Sequence, residues 1–140
     1  MGENVLITGG AGFIGSNLSI RLLEKGYRVR VLDNLSEQIH GNNSEDSFLY
    51  QSIKDKVEFI RGDVRNSADW KKALQGQHIV VHLAAETGTG QSMYEVEKYV
   101  DVNIKGTAIL LDLLANESHQ VKKVVVASSR AIYGEGKYHC

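Results

Sequence analysis

The chain has 140 residues, of which 42% are hydrophobic and 24% are charged, and its formal net charge is −1. This length predicts one domain, residues 1–140, and the single cysteine, Cys140, favours a reducing cytoplasmic location without an intrachain disulfide. The nearly balanced charge argues against nucleic acid or an anionic membrane as a partner, and apolar runs of only a few residues argue against a membrane span.

Strand-like and helix-like segments alternate from the start of the chain. The apolar run Asn4–Thr8 precedes a glycine cluster and predicts a buried strand. Residues 13–25 predict a helix, with Gly26 placed as its terminating glycine. One stripe of that helix is apolar: Ile14, Leu18 and Leu22. Strict alternation in residues 27–33 predicts the second strand.

The alternation continues through the rest of the chain. Strands are predicted at 57–61, 78–82 and 121–128, and helices near 48–53, at 68–74 and from Tyr94 to about Glu117. Asn66 or Ser67 is the expected N-cap of the helix at 68–74. Helices between strands imply right-handed crossovers, so the predicted fold is α/β, a Rossmann doubly wound parallel sheet with strand order 3-2-1-4-5.

The strongest motif is the glycine cluster between the first strand and the first helix, TGGAGFIG at residues 8–15. Glycines allow a tight turn and close approach of the backbone to a pyrophosphate, and the N-terminus of the next helix favours negative charge. A glycine-rich turn without a ligand is the alternative. The cofactor-binding residues predicted here are Gly9, Gly12, Phe13, Ile14 and Gly15.

An acidic residue ends the second strand, 18 residues after the last glycine of the motif. At this place Asp33 would accept hydrogen bonds from the adenosine ribose and repel a 2′-phosphate, and the next residue is Asn34 rather than Arg. Both residues are therefore predicted to contact the cofactor, and NAD is favoured over NADP. A strand-end Asp that only starts a turn is the alternative.

Six blocks in order resemble the extended short-chain dehydrogenase/reductases, in particular the NAD-dependent sugar-nucleotide epimerase and dehydratase group. The blocks are TGGAGFIGS (8–16), LDNLS (32–36), GDVRN (62–66), HLAAE (82–86), VNIKGT (102–107) and SSRAIYG (128–134). The resemblance implies an NAD-binding Rossmann domain and a nucleotide-sugar substrate.

The resemblance also assigns roles to residues at the ends of the later strands. It implies that Asp63 and Val64 meet the adenine and that the nicotinamide side is lined by Leu83, Ala84 and Ala85. Apart from Asn103 in the long helix, the implied site residues follow the carboxyl ends of strands, where α/β sheets bind ligands. Turn formation by Asp63 and close packing by the two alanines remain the alternatives.

Two further roles follow from the same resemblance. Asn103 would lie in the long helix behind the active site, and Ser129 would be the Ser/Thr of the catalytic Ser/Thr–Tyr–Lys set. A solvated helix position and an ordinary loop serine are the respective alternatives. No metal site is predicted, because His78 and His82 on the fourth strand are roughly 13 Å apart.

Within the resembled family, the sequence favours an epimerase. Dehydratases carry an acidic pair directly after the position of Ser129, where this chain has Arg130 and Ala131. The loop at 86–94 resembles deoxysugar-nucleotide 4-epimerases, so redox 4-epimerisation through a keto intermediate is the expected activity. The alternatives are another sugar-nucleotide oxidoreductase or decarboxylase of this family, or a non-catalytic NAD(H)-binding sensor. The sequence does not identify the sugar or the carbon.

The resemblance places the family's catalytic Tyr and Lys, and its sugar-binding domain, beyond Cys140. The chain is therefore expected to be the N-terminal part of a longer protein, truncated before the last strands of the sheet and inactive by itself. Tyr133 and Lys137 have the YxxxK spacing, but the glycines at 134 and 136 disfavour the helix that this motif needs.

The end of the long helix is apolar on more than one face, at Ile109, Leu110, Leu111, Leu113 and Leu114. A helix packed on a sheet needs only one buried stripe. Since family enzymes commonly dimerise through this helix, the surplus predicts a homodimer of the full-length protein. Burial of the same patch by another part of a longer protein is the alternative.

Overall fold

A computed structural model of the chain describes residues 2–134, 136 and 137, without the side chains of Arg130 and Ala131; Cys140 lies outside this description. The strands are β1 (Asn4–Thr8), β2 (Arg28–Asp33), β3 (Glu58–Arg61), β4 (Ile79–His82) and β5 (Lys123–Val126). All neighbouring strands pair in parallel, in the order β3-β2-β1-β4-β5. The predicted fold class and strand order are confirmed.

Helical segments connect the strands. They are α1 (Phe13–Glu24), α2 (Glu37–His40), α3 (Phe48–Gln51), α4 (Ser67–Leu74), α5 (Thr89–Ser92), α6 (Val96–Tyr99) and α7 (Gly106–Asn116), with a π turn at Val100–Lys105 and 3₁₀ turns at Ser44–Asp46 and Arg130–Tyr133. No helix in the described part of the chain is long and apolar enough to cross a membrane.

The long helix differs from its prediction at both ends and in the middle. Tyr94 lies in the preceding turn, because Glu95 has a non-helical φ of −115° and ψ of 44°. Glu117 is extended, so the helix ends at Asn116. Between α6 and α7 the backbone winds as the π turn, which keeps a helical direction but changes which side chains share a face.

The predicted helix ends are largely confirmed. Gly26 has a φ of 82° after α1, and its N–H donates to the carbonyl of Leu23 over 2.9 Å. Asn66 is the N-cap of α4, since its side chain accepts from the N–H of Ala68. The apolar stripe predicted for α1 is wrong at its first member: Ile14 is 66% exposed, whereas Gly15 and Ser16 are the buried residues of this turn.

The sheet separates two apolar layers. On one face α4 and α7 pack over a cluster that includes Leu6, Leu32, Trp70, Val80 and Leu110. On the other face α1 and α3 cover a cluster that includes Val5, Ile7, Val29, Val31 and Ile53. Since each strand contributes alternate residues to the two layers, both faces of the central strands are buried.

Candidate functional site

The carboxyl ends of the strands form one edge of the sheet. Register pairs Thr8 with Leu32 on one side and with His82 on the other, and it pairs His82 with Val126. The ladder continues one residue further, where the N–H of Leu83 donates to the carbonyl of Thr8. The segments that follow the strands therefore emerge side by side at this edge.

The glycine loop fills the centre of this edge. Gly9 has a φ of 66°, and a Cβ there would lie 2.8 Å from the nitrogen of Ala84. A Cβ on Gly15 would lie 2.4 Å from the carbonyl oxygen of Gly9, so α1 packs directly on the loop. These close approaches need glycine at both positions, and they bring the loop against the segment after β4.

The N-terminus of α1 faces out of this loop. Its N-cap is Gly12, so no side chain caps the helix. Phe13 and Ile14 in the first turn are 74% and 66% exposed. The first N–H groups of a helix lack intrahelical acceptors and carry partial positive charge, so this end of the 12-residue helix has the properties of an anion site.

Asp33 connects the glycine loop with the turn after β2. Its buried carboxylate accepts from the N–H of Ala11 through Oδ2 and from the N–H of Leu35 through Oδ1, both over 2.9 Å. Leu35 is left-handed, with a φ of 55°, which a side chain other than glycine rarely adopts. The turn-forming role of Asp33 is thus present, and each carboxylate oxygen retains a lone pair for a further donor.

Asn34 and Asp63 lie together at the ends of β2 and β3. The amide Nδ2 of Asn34 donates to Oδ2 of Asp63 over 3.3 Å. Arg65 donates to both oxygens of the same carboxylate, over 2.9 and 2.7 Å, and a second ion pair joins it to Asp101 in the π turn. Hydrogen bonding from Arg65 holds the pKa of Asp63 below its usual range, so this carboxylate is an acceptor at neutral pH.

Val64 has a different environment from its neighbour Asp63. Its side chain is buried in the core and is the nearest contact of a Cβ built on Gly106, at 2.9 Å. Its carbonyl accepts from the indole Nε1–H of Trp70 over 2.7 Å. The side chain of Val64 is therefore a core element, and its contact with an adenine stays a prediction that only its main chain could meet.

Polar contacts hold the segment after β4 at both ends. The N–H of Ala84 donates to Oγ1 of Thr8 over 3.2 Å, while the next residue, Ala85, is exposed. Oδ1 of Asn103 accepts from the N–H of Glu86 over 2.8 Å, and Nδ2 of Asn103 donates to the carbonyl of Glu86 over 3.1 Å. The interpretation of Asn103 as a solvated helix residue is wrong, because its side chain holds this loop.

Ser129 lies beyond the carboxyl end of β5, in an exposed position next to the strand that carries the Ala84 segment. Its carbonyl accepts from the N–H of Ile132 at the start of a short turn. Tyr133 is 86% exposed, and Gly134 has a left-handed φ of 68°. The sequence has Arg130 and Ala131 where dehydratases carry an acidic pair. The side chains of these two residues lie outside the described part of the structure.

The predicted residues of the site thus come together at one edge, from Asp63 through the glycine loop to Ser129. The sequence patterns do not single out Arg65, His82 or Thr107, whose hydrogen bonds connect parts of this edge. In the sequence, His82 is noted only as the first residue of the HLAAE block and as a strand residue too far from His78 to share a metal. No group of three or more His, Cys, Asp and Glu within the described ranges is placed to hold a metal ion.

A parallel sheet in this order, with a glycine loop joining its central strand to a helix, is a Rossmann fold of the dinucleotide-binding type. A model of the NAD dependent epimerase/dehydratase family matches residues 5–139. The chain belongs to this family.

Relatives and solved structures agree with this membership. The dTDP-L-rhamnose 4-epimerase of Burkholderia thailandensis is 41% identical over 139 residues, which are 98% of this chain and 37% of that protein. The UDP-glucose 4-epimerase of Bos taurus is 35% identical over 144 residues, with 99% and 40% covered. The chain thus spans about two fifths of the length of these relatives.

Two solved structures show the same fold. The UDP-glucose 4-epimerase from Bifidobacterium longum, in complex with NAD+ and UDP, has a TM-score of 0.78 and 34% identity, with 94% of this chain and 38% of that chain covered. A mutant UDP-glucuronic acid 4-epimerase from Bacillus cereus, in complex with NAD and a fluorinated UDP-sugar, has a TM-score of 0.82 and 32% identity, with 98% and 43% covered.

Proposed function

We propose that this chain is the NAD-binding part of a nucleotide-sugar 4-epimerase. The observation that carries the proposal is the junction of the glycine loop with the acidic end of β2, where Asp33 accepts from Ala11 beside the open N-terminus of α1. The relatives crystallised with NAD and either UDP or a UDP-sugar support the same assignment. The single cysteine supports a cytoplasmic location, which fractionation of producing cells would test.

The residues present fit a dinucleotide. The free N–H groups of Phe13 and Ile14 would bind the pyrophosphate, and Asp33 would accept from the ribose hydroxyls. Asp63 would accept from the exocyclic amine of adenine, while Ala84 and Ala85 leave room for the nicotinamide. NAD would supply reversible hydride transfer at the sugar carbon, and Ser129 would hold the reacting sugar hydroxyl by a hydrogen bond.

Discrimination between NAD and NADP tests the cofactor assignment. We expect the chain to bind NAD+ at least tenfold more tightly than NADP+, because a hydrogen bond to a charged group contributes about 1.5–3 kcal/mol and a 2′-phosphate would meet the Asp33 carboxylate. Calorimetric titration of both cofactors measures the ratio. Asp33→Asn should reduce the preference, whereas the exposed Asp55→Asn should not; equal affinities for the wild-type chain would contradict the role of Asp33.

The epimerase activity is tested with a chimera. We expect no turnover of dTDP-, UDP- or GDP-sugars by the 140-residue chain, because Gly134 breaks the helix that Tyr133 and Lys137 would need as a catalytic pair. Replacing the matching segment of the Burkholderia thailandensis relative with this chain should give an enzyme that epimerises a nucleotide-sugar. Chromatography of the products measures this activity.

Substitution of two adjacent serines in that chimera provides a test variant and its control. Ser129→Ala should lower kcat at least tenfold, because it removes one hydrogen bond to the sugar hydroxyl whose oxygen gains negative charge in the reaction, while the adjacent exposed Ser128→Ala should leave kcat unchanged. A chimera that binds NAD but epimerises no nucleotide-sugar would refute the proposed activity. Turnover by the 140-residue chain that disappears on Tyr133→Phe would instead show that this tyrosine is the catalytic one.

A homodimer through the long helix is the proposed assembly. The predicted surplus is smaller than expected, since only Leu111 of the five apolar residues is exposed and the other four contact the core. An exposed stripe lies nearer the start of the helix, however, where Val96, Val100 and Ile104 are 58%, 45% and 64% exposed. A second copy would bury this stripe.

Sedimentation of the chain tests the dimer. We expect a dimer in the micromolar range that dissociates when Val100 and Ile104 are both replaced by Glu, because burying two carboxylates in an apolar interface is costly. Ala68→Glu, an exposed apolar-to-acid change on α4, should leave the dimer intact. A wild-type monomer at high concentration, for this chain and for the chimera, would contradict the proposal.

A further inference from the structure

A partly buried hydrogen-bond network crosses the site from β1 to the long helix. Oγ1 of Thr8 lies 2.6 Å from Nδ1 of His82, and Nε2 of His82 lies 3.1 Å from Oγ1 of Thr107. Thr107 donates in turn to the carbonyl of Asn103 over 2.8 Å. These four residues, the Thr8–His82–Thr107–Asn103 network, join the two central strands to the helix that carries the π turn.

The partners of the network fix the direction of its protons. Thr8 Oγ1 accepts from the N–H of Ala84, so its own hydroxyl proton is free to go to Nδ1 of His82. Thr107 gives its proton to Asn103, so Oγ1 of Thr107 accepts from His82. This arrangement makes Nε2 of His82 the donor to Thr107, and the ring is neutral when Nδ1 accepts the proton of Thr8.

The surroundings of His82 agree with a neutral ring. His82 is only 3% exposed, and its ring lies against the indole of Trp70 at a centroid distance of 5.4 Å. Burial lowers the pKa of His82 to about 4. A charged imidazole would offer two N–H donors and would require the Thr8 hydroxyl to turn away from the ring.

The two ends of the network hold the two ends of one loop. Thr8 accepts from the N–H of Ala84 at the loop start, and Asn103 holds both the N–H and the carbonyl of Glu86 at its end. Between them lies Ala85, which is exposed. The conformation of residues 84–86 therefore depends on the spacing between β1 and the long helix, and His82 with Thr107 spans that spacing.

We propose that His82 and Thr107 are positioning residues that set the cofactor-facing loop 84–86 through a fixed Nε2–H tautomer. The inference rests on the proposed function, in which this loop lines the nicotinamide. Neither side chain contacts the cofactor itself. Their effect is expected to reach NAD binding through the amides of Ala84 and Glu86, rather than through the stability of the whole sheet.

The tautomer is measured on the wild-type chain, without any substitution. Nitrogen-15 NMR of histidine-labelled protein at pH 7 should show His82 with a pyrrole-type Nε2 and a pyridine-type Nδ1. His82→Phe identifies the signal by its disappearance. A proton on Nδ1, or a charged ring at pH 7, would overturn the proposal whatever the chain binds.

Thr107 separates positioning from general stability. Thr107→Val keeps the shape of the side chain but removes its hydroxyl, and we expect amide exchange at Ala84 and Glu86 to accelerate at least tenfold while the amides of β2 keep their protection. The Kd for NAD+ should rise about tenfold, an effect of the size of one neutral hydrogen bond. Thr107→Ser should restore most of both properties, and the exposed Thr89→Val should leave them within twofold of wild type.

The outcomes distinguish this inference from the proposed function. If the wild-type chain fails to bind NAD+ but Thr107→Val selectively frees the two loop amides, the cofactor assignment fails and the positioning of the loop stands. If Thr107→Val leaves both amides protected and NAD+ affinity unchanged, the positioning role is overturned. Uniform loss of amide protection throughout the sheet, in Thr107→Val and in Thr107→Ser alike, would show that the network has only a structural role. That result would also overturn the positioning role.

Discussion

The Gly15→Ala variant is expected to lose at least 100-fold in affinity for NAD+ and about 3 kcal/mol in free energy of unfolding. The added Cβ would lie 2.4 Å from the carbonyl oxygen of Gly9 and 2.5 Å from Cα of Gly10. Both contacts are with backbone, which cannot move aside as a flexible side chain can. The glycine loop must therefore open, and the N-terminus of α1 must move away from the phosphate position.

Urea unfolding and calorimetry measure the two parts of this effect. Gly90→Ala is the control, because a Cβ there meets nothing within 4 Å, and it should change stability by no more than about 0.5 kcal/mol. A Gly15→Ala protein with wild-type affinity for NAD+ would show that the close packing of α1 on the loop is irrelevant to binding.

Acid destabilisation that depends on His82 is the second large expected effect. Burial lowers the pKa of this histidine from 6.5 to about 4, so the unfolded chain binds its proton more readily than the folded chain. The contribution of His82 to the free energy of unfolding is therefore fully present above about pH 6.5. It falls as the pH decreases towards 4 and levels off below that. The shift corresponds to about 3 kcal/mol at most.

The measurement compares free energies of unfolding at pH 7 and pH 4.5 in wild type and His82→Phe. Carboxylates titrate in the same pH range in both proteins, so the difference between the two proteins in the pH dependence of stability isolates the contribution of the histidine. His82→Phe should be less stable at pH 7, because it removes the hydrogen bonds that Thr8 and Thr107 each make to the imidazole, yet it should lose less stability on acidification. Identical slopes for wild type and His82→Phe would contradict a buried neutral ring.

The sequence predicts the architecture well because its signals are local. Alternating apolar residues in the strands, the glycine after α1 and the cap at Asn66 each depend on neighbours within one element. The glycine cluster is recognisable for the same reason, since eight consecutive residues contain the turn and the helix start. These features specify the sheet order once right-handed crossovers are assumed.

The missed features depend on contacts between distant segments. The bond from Ala11 to Asp33 spans 22 residues, and the bond from Thr8 to His82 spans 74. The period of the strand places His82 on the same face as His78 but does not identify its partners. The π turn at Val100–Lys105 is also invisible to periodicity, because one widened turn changes the apolar spacing by a single residue.

The position of β1 in the middle of the sheet has a consequence for synthesis on the ribosome. Its partner β2 follows about twenty residues later, but its other partner, β4, pairs through residues 74 positions away in sequence. At translation rates of about 5–20 residues per second, the second edge of β1 stays open for about 4–15 s. During that time an apolar strand offers unpaired backbone groups to any neighbouring nascent chain, so a chaperone that shields residues 4–8 would act in this interval.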